Sequence, residues 1–282
     1  MANKISYVSD SCTGIINGLK ELSSKHSLWS VFEDWLKVSA ISISNSVDWA
    51  HKDEREKEYL ETINKYTPEE QKLLVNTFTE LIKGLQDEQT TSGPVDLLGK
   101  VYHALELHNK YHGQFFTPFH ICEFMGQIAL GDGGEAGNNT QDALTKKGYV
   151  SVCEPCVGSG GMVLGFANAM YKNNLNYCNQ MVAYCCDIDI KCVHMAYLQL
   201  SLYGIPAVII HGNSLTLEEW SRWYTPIYMT QGWPFRESAE NVLETIHSAT
   251  EKSEPVMTQA LTEDESDEQA EEINDYIQLS LF

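Results

Sequence analysis

Apolar positions recur with a helical period through the first hundred residues. Leu28, Val31, Phe32, Trp35 and Leu36 stand at i, i+3, i+4, i+7 and i+8, one face of a helix. Thr67-Pro68-Glu69-Glu70 spells a helix start, with Thr as N-cap, Pro at the first helical position and a Glu placed to close a capping box. Leu73, Leu74, Phe78, Leu81 and Ile82 supply the stripe that follows. Ser92-Gly93-Pro94 interrupts the chain, and residues 95–107 predict a further helix. These stripes read first as ordinary core. Gly113-Gln-Phe-Phe-Thr-Pro118 leads into a predicted helix at 119–130, and the Gly- and Asn-rich stretch 131–140 predicts loop.

From residue 149 the period changes. Tyr149-Val-Ser-Val-Cys153 is a short β-type run that leads into Glu154-Pro-Cys-Val-Gly158-Ser159-Gly160-Gly161 and then an apolar helix at 162–171. Met181-Val-Ala-Tyr-Cys-Cys186 predicts a second strand ending in Asp187-Ile-Asp189, followed by a helix at 191–203. Ala207-Val-Ile-Ile210 predicts a third strand ending at Gly212-Asn213-Ser214-Leu215. This order is that of a parallel α/β sheet. Residues 216–235 are aromatic and irregular, and Leu217-Glu-Glu-Trp-Ser-Arg222 reads as helix or loop. The chain therefore divides into a helical region at 1–112, an α/β core at 113–235, an acidic linker at 236–277 expected to be disordered, and a terminal motif at 278–282.

Composition narrows the function. The chain has 282 residues, 43% apolar, and a formal charge of −20 from 19 Lys/Arg and 39 Asp/Glu. Residues 251–282 hold ten Asp/Glu against one Lys, a net of −9, which leaves −11 on the rest. A nucleic-acid surface is normally basic, so contact with DNA must be local or shared with a partner. There is no run of 18 apolar residues and no apolar segment at the N-terminus, so a cytoplasmic protein without a membrane span is expected. Eight irregularly spaced cysteines are no disulfide scaffold. Cys153-x-x-Cys156 with Cys185, Cys186 and Cys192 offers thiolates for zinc but lacks the second Cys-x-x-Cys of a ribbon. Inward-facing strand cysteines are commonly small hydrophobes. His194, within the 191–203 helix, reads as structural.

A strand ending in a glycine-rich turn before a helix offers backbone amides to a ligand, and an acid at the end of the next strand accepts hydrogen bonds from ribose. Asp187 stands 27 residues after Gly160, a spacing that suits this role. Together Gln114-Phe-Phe-Thr-Pro118, Glu154-Pro-Cys-Val-Gly-Ser-Gly160, Cys186-Asp-Ile-Asp189 and Gly212-Asn-Ser-Leu215 resemble the amino-group (N6-adenine) DNA methyltransferases, in particular the modification subunits of type I restriction systems. The resemblance covers about residues 100–215. It implies a Rossmann-like core, S-adenosylmethionine as cofactor and the exocyclic amine of adenine as target. By position, Gln114, Phe115, Phe116 and Thr117 match the segment that packs near the methionine moiety. Glu154, Gly158, Ser159 and Gly160 match the cofactor loop, with Glu154 where an Asp is common. Asp187 matches the ribose-binding acid, and Asn213 stands where an acid often receives the cofactor's adenine amine.

The family's Asn/Asp-Pro-Pro-Tyr/Phe motif, which holds the amine and stacks on a flipped base, is missing. The nearest stretch, Trp223-Tyr-Thr225-Pro226-Ile227-Tyr228, makes Thr225, Pro226 and Tyr228 the catalytic candidates. By resemblance a full sheet has about seven strands, against three found here. The sheet is expected to be incomplete, with its free edge capped by 216–235 or by a partner chain. Gln278-Leu279-Ser280-Leu281-Phe282 resembles the pentapeptide by which bacterial replication and repair proteins hold the sliding clamp. A clamp would supply proximity to DNA that the acidic body lacks. The expectation is a methyltransferase-like protein with DNA, the clamp and restriction–modification subunits as partners. A catalytically inactive adaptor, or an anti-restriction or regulatory protein keeping the cofactor half-site, stands as the alternative.

Overall fold

The computed structural model describes residues 10–107, 116–132 and 135–236. Five helices open it: α1 (Asp10–Leu22), α2 (Leu28–Ser44), α3 (Lys52–Ile63), α4 (Pro68–Ser92) and α5 (Leu97–Ala104). Helix α4 starts as its sequence dictates. The Thr67 hydroxyl accepts from the Glu70 amide, the Glu70 carboxylate accepts from the Thr67 amide, and Pro68 occupies the first turn. Helix α6 (Phe119–Gln127) continues into a wide turn at Ile128–Asp132, and α7 (Glu135–Lys146) follows. The α/β part runs β1 (Val150–Glu154), α8 (Gly161–Lys172), α9 (Tyr177–Gln180), β2 (Met181–Asp187), α10 (Ile190–Leu202), β3 (Ala207–Asn213), β4 (Glu218–Tyr224) and α11 (Pro226–Thr230).

The sheet order is β1-β2-β3-β4, with β1, β2 and β3 parallel and β4 antiparallel to β3. Alternate residues serve two cores, as the strand period requires. Val150, Val152, Ala183, Cys185, Ala207 and Ile209 enter the larger core, which continues through α8 and α10 into Phe32, Trp35 and Tyr102 of the helical region. Val182 and Val208 point the other way, against Tyr149, Tyr228 and Trp233. This is a mixed α/β fold with helices on both faces of the sheet. Arg55 latches the helical region to it. Its guanidinium donates to Ser44 Oγ at 2.5 Å, Asp48 Oδ2 at 2.6 Å and the Arg222 carbonyl at 2.7 Å, and lies 4.1 Å from the Trp223 ring centroid.

Two expectations need correction. The stretch 131–140 is not loop throughout, because α7 starts within it. That helix packs on the Ile128–Asp132 turn and on β1, and the Thr140 hydroxyl donates to the Ala129 carbonyl at 2.8 Å. Packing overrides its weak helix formers. Of residues 217–222, Leu217 stays in the turn, but 218–222 are neither helix nor loop. Residues 218–222 enter β4, an edge strand that starts with exposed Glu218, Glu219 and Trp220, while Trp223 is buried. Residues 216–235 do cover a free edge of the parallel sheet, that of β3. Strand β4 pairs with β3 at the far side, and α11 covers a face, so among the described residues β1 has one strand neighbour, β2.

Candidate cofactor site

The site lies at the C-terminal ends of β1 and β2. After Glu154 the chain turns through 155–160 into α8. Gly158 and Gly160 take φ of +54° and +97°, the left-handed region where glycine is the low-strain residue. The turn is tied to the next strand. The Val157 amide donates to the Cys186 carbonyl at 2.9 Å, and the Gly158 amide donates to Asp187 Oδ2 at 2.8 Å. Asp187 Oδ1 accepts from the Asp189 amide at 2.9 Å. Glu154 Oε1 accepts from the Cys156 amide at 3.0 Å. Gly160 caps α8 without a side chain, so the first-turn amides and the positive end of the helix dipole lie beside the loop.

Burial raises the pKa of both carboxyl groups. For Asp187 the amides of Asp189 and Gly158 oppose this, and for Glu154 the Cys156 amide opposes it while the nearby Asp187 charge adds to it. Ile188, directly after Asp187, is 62% exposed, so an apolar surface borders the acid.

A buried polar cluster holds the loop from behind. Asp96, the N-cap of α5, accepts from the Gly99 amide at 2.8 Å, from Ser159 Oγ at 2.5 Å and from Gln199 Nε2 at 2.9 Å. Gln199 Nε2 also donates to the Ser159 carbonyl at 2.7 Å, and its Oε1 accepts from the Leu98 amide at 3.0 Å. Sequence reasoning passed over Asp96 and Gln199. A signal existed in each case: Asp96 follows Gly93-Pro94 at a helix start, and Gln199 interrupts the apolar run of α10. Lys191 was also missed. It is buried, with Nζ 3.1 Å from Asp189 Oδ2 and 4.3 Å from the Trp29 ring centroid.

The other site residues distribute as follows. Phe116 roofs the loop. Its ring stands 4.8 Å from that of Tyr102, and a Cβ added to Gly158 would meet Phe116 Cδ1 at 3.1 Å. Thr117 is exposed, while Gln114 and Phe115 lie outside the described residues, as do Gln278, Leu279, Leu281 and Phe282. Ser159 faces Asp96 through its side chain, so only its backbone is left for a ligand. Asn213 lies on β3, two positions past His211, the residue paired with Asp187. Its side-chain oxygen accepts from the Leu215 and Thr216 amides at 3.0 and 3.3 Å, closing the β3–β4 hairpin.

Thr225, Pro226 and Tyr228 sit at the other end of the sheet. Thr225 is fully buried, accepts from the Ala207 amide at 2.9 Å and donates to the Ile205 carbonyl at 2.9 Å. The seven residues of β3 separate it from Asn213, roughly 20 Å at strand rise. Among the described residues no cluster of three His, Cys, Asp or Glu side chains is arranged to hold a metal ion, and no helix is long and apolar enough to cross a membrane.

The family profile described as N-6 DNA Methylase matches residues 94–255, more than half of the chain. The chain belongs to the N-6 DNA methylase family. Among solved structures it is similar to a candidate class I S-adenosylmethionine-dependent methyltransferase from Listeria monocytogenes, with 14% identity over 80% of this chain and 70% of that one and a TM-score of 0.38. It is also similar to the type I restriction-modification system methyltransferase subunit from Streptococcus thermophilus, with 19% identity, 72% of this chain covered and a TM-score of 0.31. The chain spans 39% of that subunit. A comparison with curated proteins gives no significant match. The cofactor of N-6 DNA methylases is S-adenosylmethionine. The donor set fits such a group: a carboxylate with lone pairs left for ribose hydroxyls, the first-turn amides of α8, and an exposed apolar side chain beside them.

Proposed function

We propose that this N-6 DNA methylase family protein binds S-adenosylmethionine at the 154–160 loop and Asp187, and works while tethered through residues 278–282 to the bacterial sliding clamp. The observation that carries the cofactor reading is the 2.8 Å bond from the Gly158 amide to Asp187, which brings the glycine turn and the acid of the next strand together. There Asp187 accepts from the ribose hydroxyls, the first-turn amides of α8 meet polar groups of the ligand, and Phe116 closes over them. The cofactor, when bound, supplies an electrophilic methyl group for the exocyclic amine of adenine in DNA.

A second reading rests on its own observation. The sequence has no Asn-Pro-Pro-Tyr, and Thr225-Pro226-Ile227-Tyr228 starts beside Ala207, at the far end of β3. In that reading the chain is a non-catalytic adaptor or anti-restriction protein that keeps the cofactor half-site. A filter assay for transfer of labelled methyl groups to mixed DNA, with and without restriction–modification subunits, separates the two. Methylation lost in Asp187→Ala supports the enzyme, and cofactor binding without methylation under any combination refutes it. The tether is tested by recovery on immobilised sliding clamp. Leu281→Ala with Phe282→Ala abolishes recovery if the tether is real, and equal recovery refutes it.

A further inference from the structure

Four of the eight cysteines reach solvent, and three of them, Cys153, Cys156 and Cys186, gather at the C-terminal ends of β1 and β2. Cys156 is exposed and Cys186 half-buried. The Val157 amide donates to the Cys186 carbonyl at 2.9 Å, so the backbone at 156 runs directly against that at 186. Hydrogen-bonded neighbours of this kind stand about 5 Å apart, and a disulfide spans Cα separations of about 4.4–6.8 Å. Cys153 is the poorer partner. The register pairs it with Tyr184, which leaves Cys186 on the diagonal, about 7–8 Å away and beyond that reach.

We propose that Cys156 and Cys186 form a reversible disulfide that pins the glycine loop to β2 and weakens the hold of the crevice on S-adenosylmethionine. The second half rests on the cofactor reading above. The Gly158 amide already holds Asp187 Oδ2, and the bridge would remove the play of the loop against β2, so that the loop could no longer adjust around the ribose bound at Asp187. The oxidant is a low-molecular-weight disulfide. One cysteine thiolate attacks it and releases one thiol of the oxidant. The second cysteine then attacks the mixed disulfide and releases the other, so two protein thiols are oxidised and one disulfide becomes two thiols. Burial raises the Cys186 pKa, and the charge of Asp187 adds to this, so the reaction quickens with alkali.

The full-length protein is treated with oxidised glutathione at mildly alkaline pH, alkylated, digested without reduction and mapped by mass spectrometry. The expected product is a peptide joining Cys156 to Cys186, formed equally in Cys153→Ser and absent in Cys186→Ser. By titration calorimetry the oxidised protein binds S-adenosylmethionine at least tenfold more weakly. Reductant restores the affinity, and oxidant leaves that of Cys186→Ser unchanged. A bridge elsewhere, between chains, or none overturns the site, and a Cys156–Cys186 bridge with unchanged affinity overturns its effect. Failure of the reduced protein to bind S-adenosylmethionine overturns the cofactor reading instead, and the peptide map still decides the disulfide.

Discussion

Replacing Asp96 by Ala removes an acceptor that three buried or half-buried donors share: the Gly99 amide, Ser159 Oγ and Gln199 Nε2. Loss of an N-cap acceptor is worth about 1 kcal/mol. The bond from Ser159 goes to a carboxylate, and hydrogen bonds to charged groups contribute about 1.5–3 kcal/mol. Gln199 keeps its bond to the Ser159 carbonyl, so its share is small. Asp96→Ala is therefore expected to lower unfolding stability by about 3–4 kcal/mol, a shift of roughly 10 °C in Tm for a chain of this size. Asp96→Asn keeps an acceptor for the Gly99 amide and should lose about half as much. Urea unfolding followed by circular dichroism reads the change as a lower midpoint at constant slope. Because Ser159 lies between Gly158 and Gly160, affinity for S-adenosylmethionine should fall together with stability. A loss below about 1 kcal/mol in Asp96→Ala would refute the view that this cluster holds the loop.

Gly158→Ala puts a side chain at φ +54° and a Cβ 3.1 Å from Phe116 Cδ1, so calorimetry should show at least tenfold weaker cofactor binding, with a stability loss of only about 1–2 kcal/mol. Arg55→Met strips the buried Asp48 carboxylate of its guanidinium, which lies over Trp223, and should cost about 3–5 kcal/mol in chemical denaturation. Glu154 is pushed above its ordinary value of 4.5 chiefly by burial, so the folded state binds its proton more tightly than the unfolded one. The charged form therefore destabilises the fold, and stability is lost as pH rises above 4.5 through the raised value. Glu154→Gln should be the more stable protein at pH 7, with the difference vanishing below pH 4.5 in a series of urea melts.

Helix starts and parallel strands were legible because each rests on local chemistry. Thr67-Pro68-Glu69-Glu70 carries its own capping box, and the runs at 149–153 and 181–186 are mostly apolar, with Ser151 on the half-buried side of β1. Strand β4 was not legible, since an edge strand with one solvated side shows no apolar run and its place depends on pairing with β3. Helix α7 was hidden for the same kind of reason: Gly137, Asn138 and Asn139 argue for loop, and only packing on the Ile128–Asp132 turn and β1 overrides them. At the candidate site, the glycines and Asp187 stand out through spacing. Asp96 and Gln199 do not, because they are brought to Ser159 from 63 and 40 residues away along the chain. Asn213 shows the limit of reading by position, since its side-chain oxygen closes the hairpin it begins.

The most direct test follows backbone amide resonances of the isotopically labelled full-length protein while S-adenosylhomocysteine, the demethylated cofactor, is added. The account requires saturable shifts concentrated at 156–162 and 187–190, all lost in a folded Asp187→Ala variant. Saturable shifts confined to other surfaces, or no shifts at millimolar ligand, would contradict it.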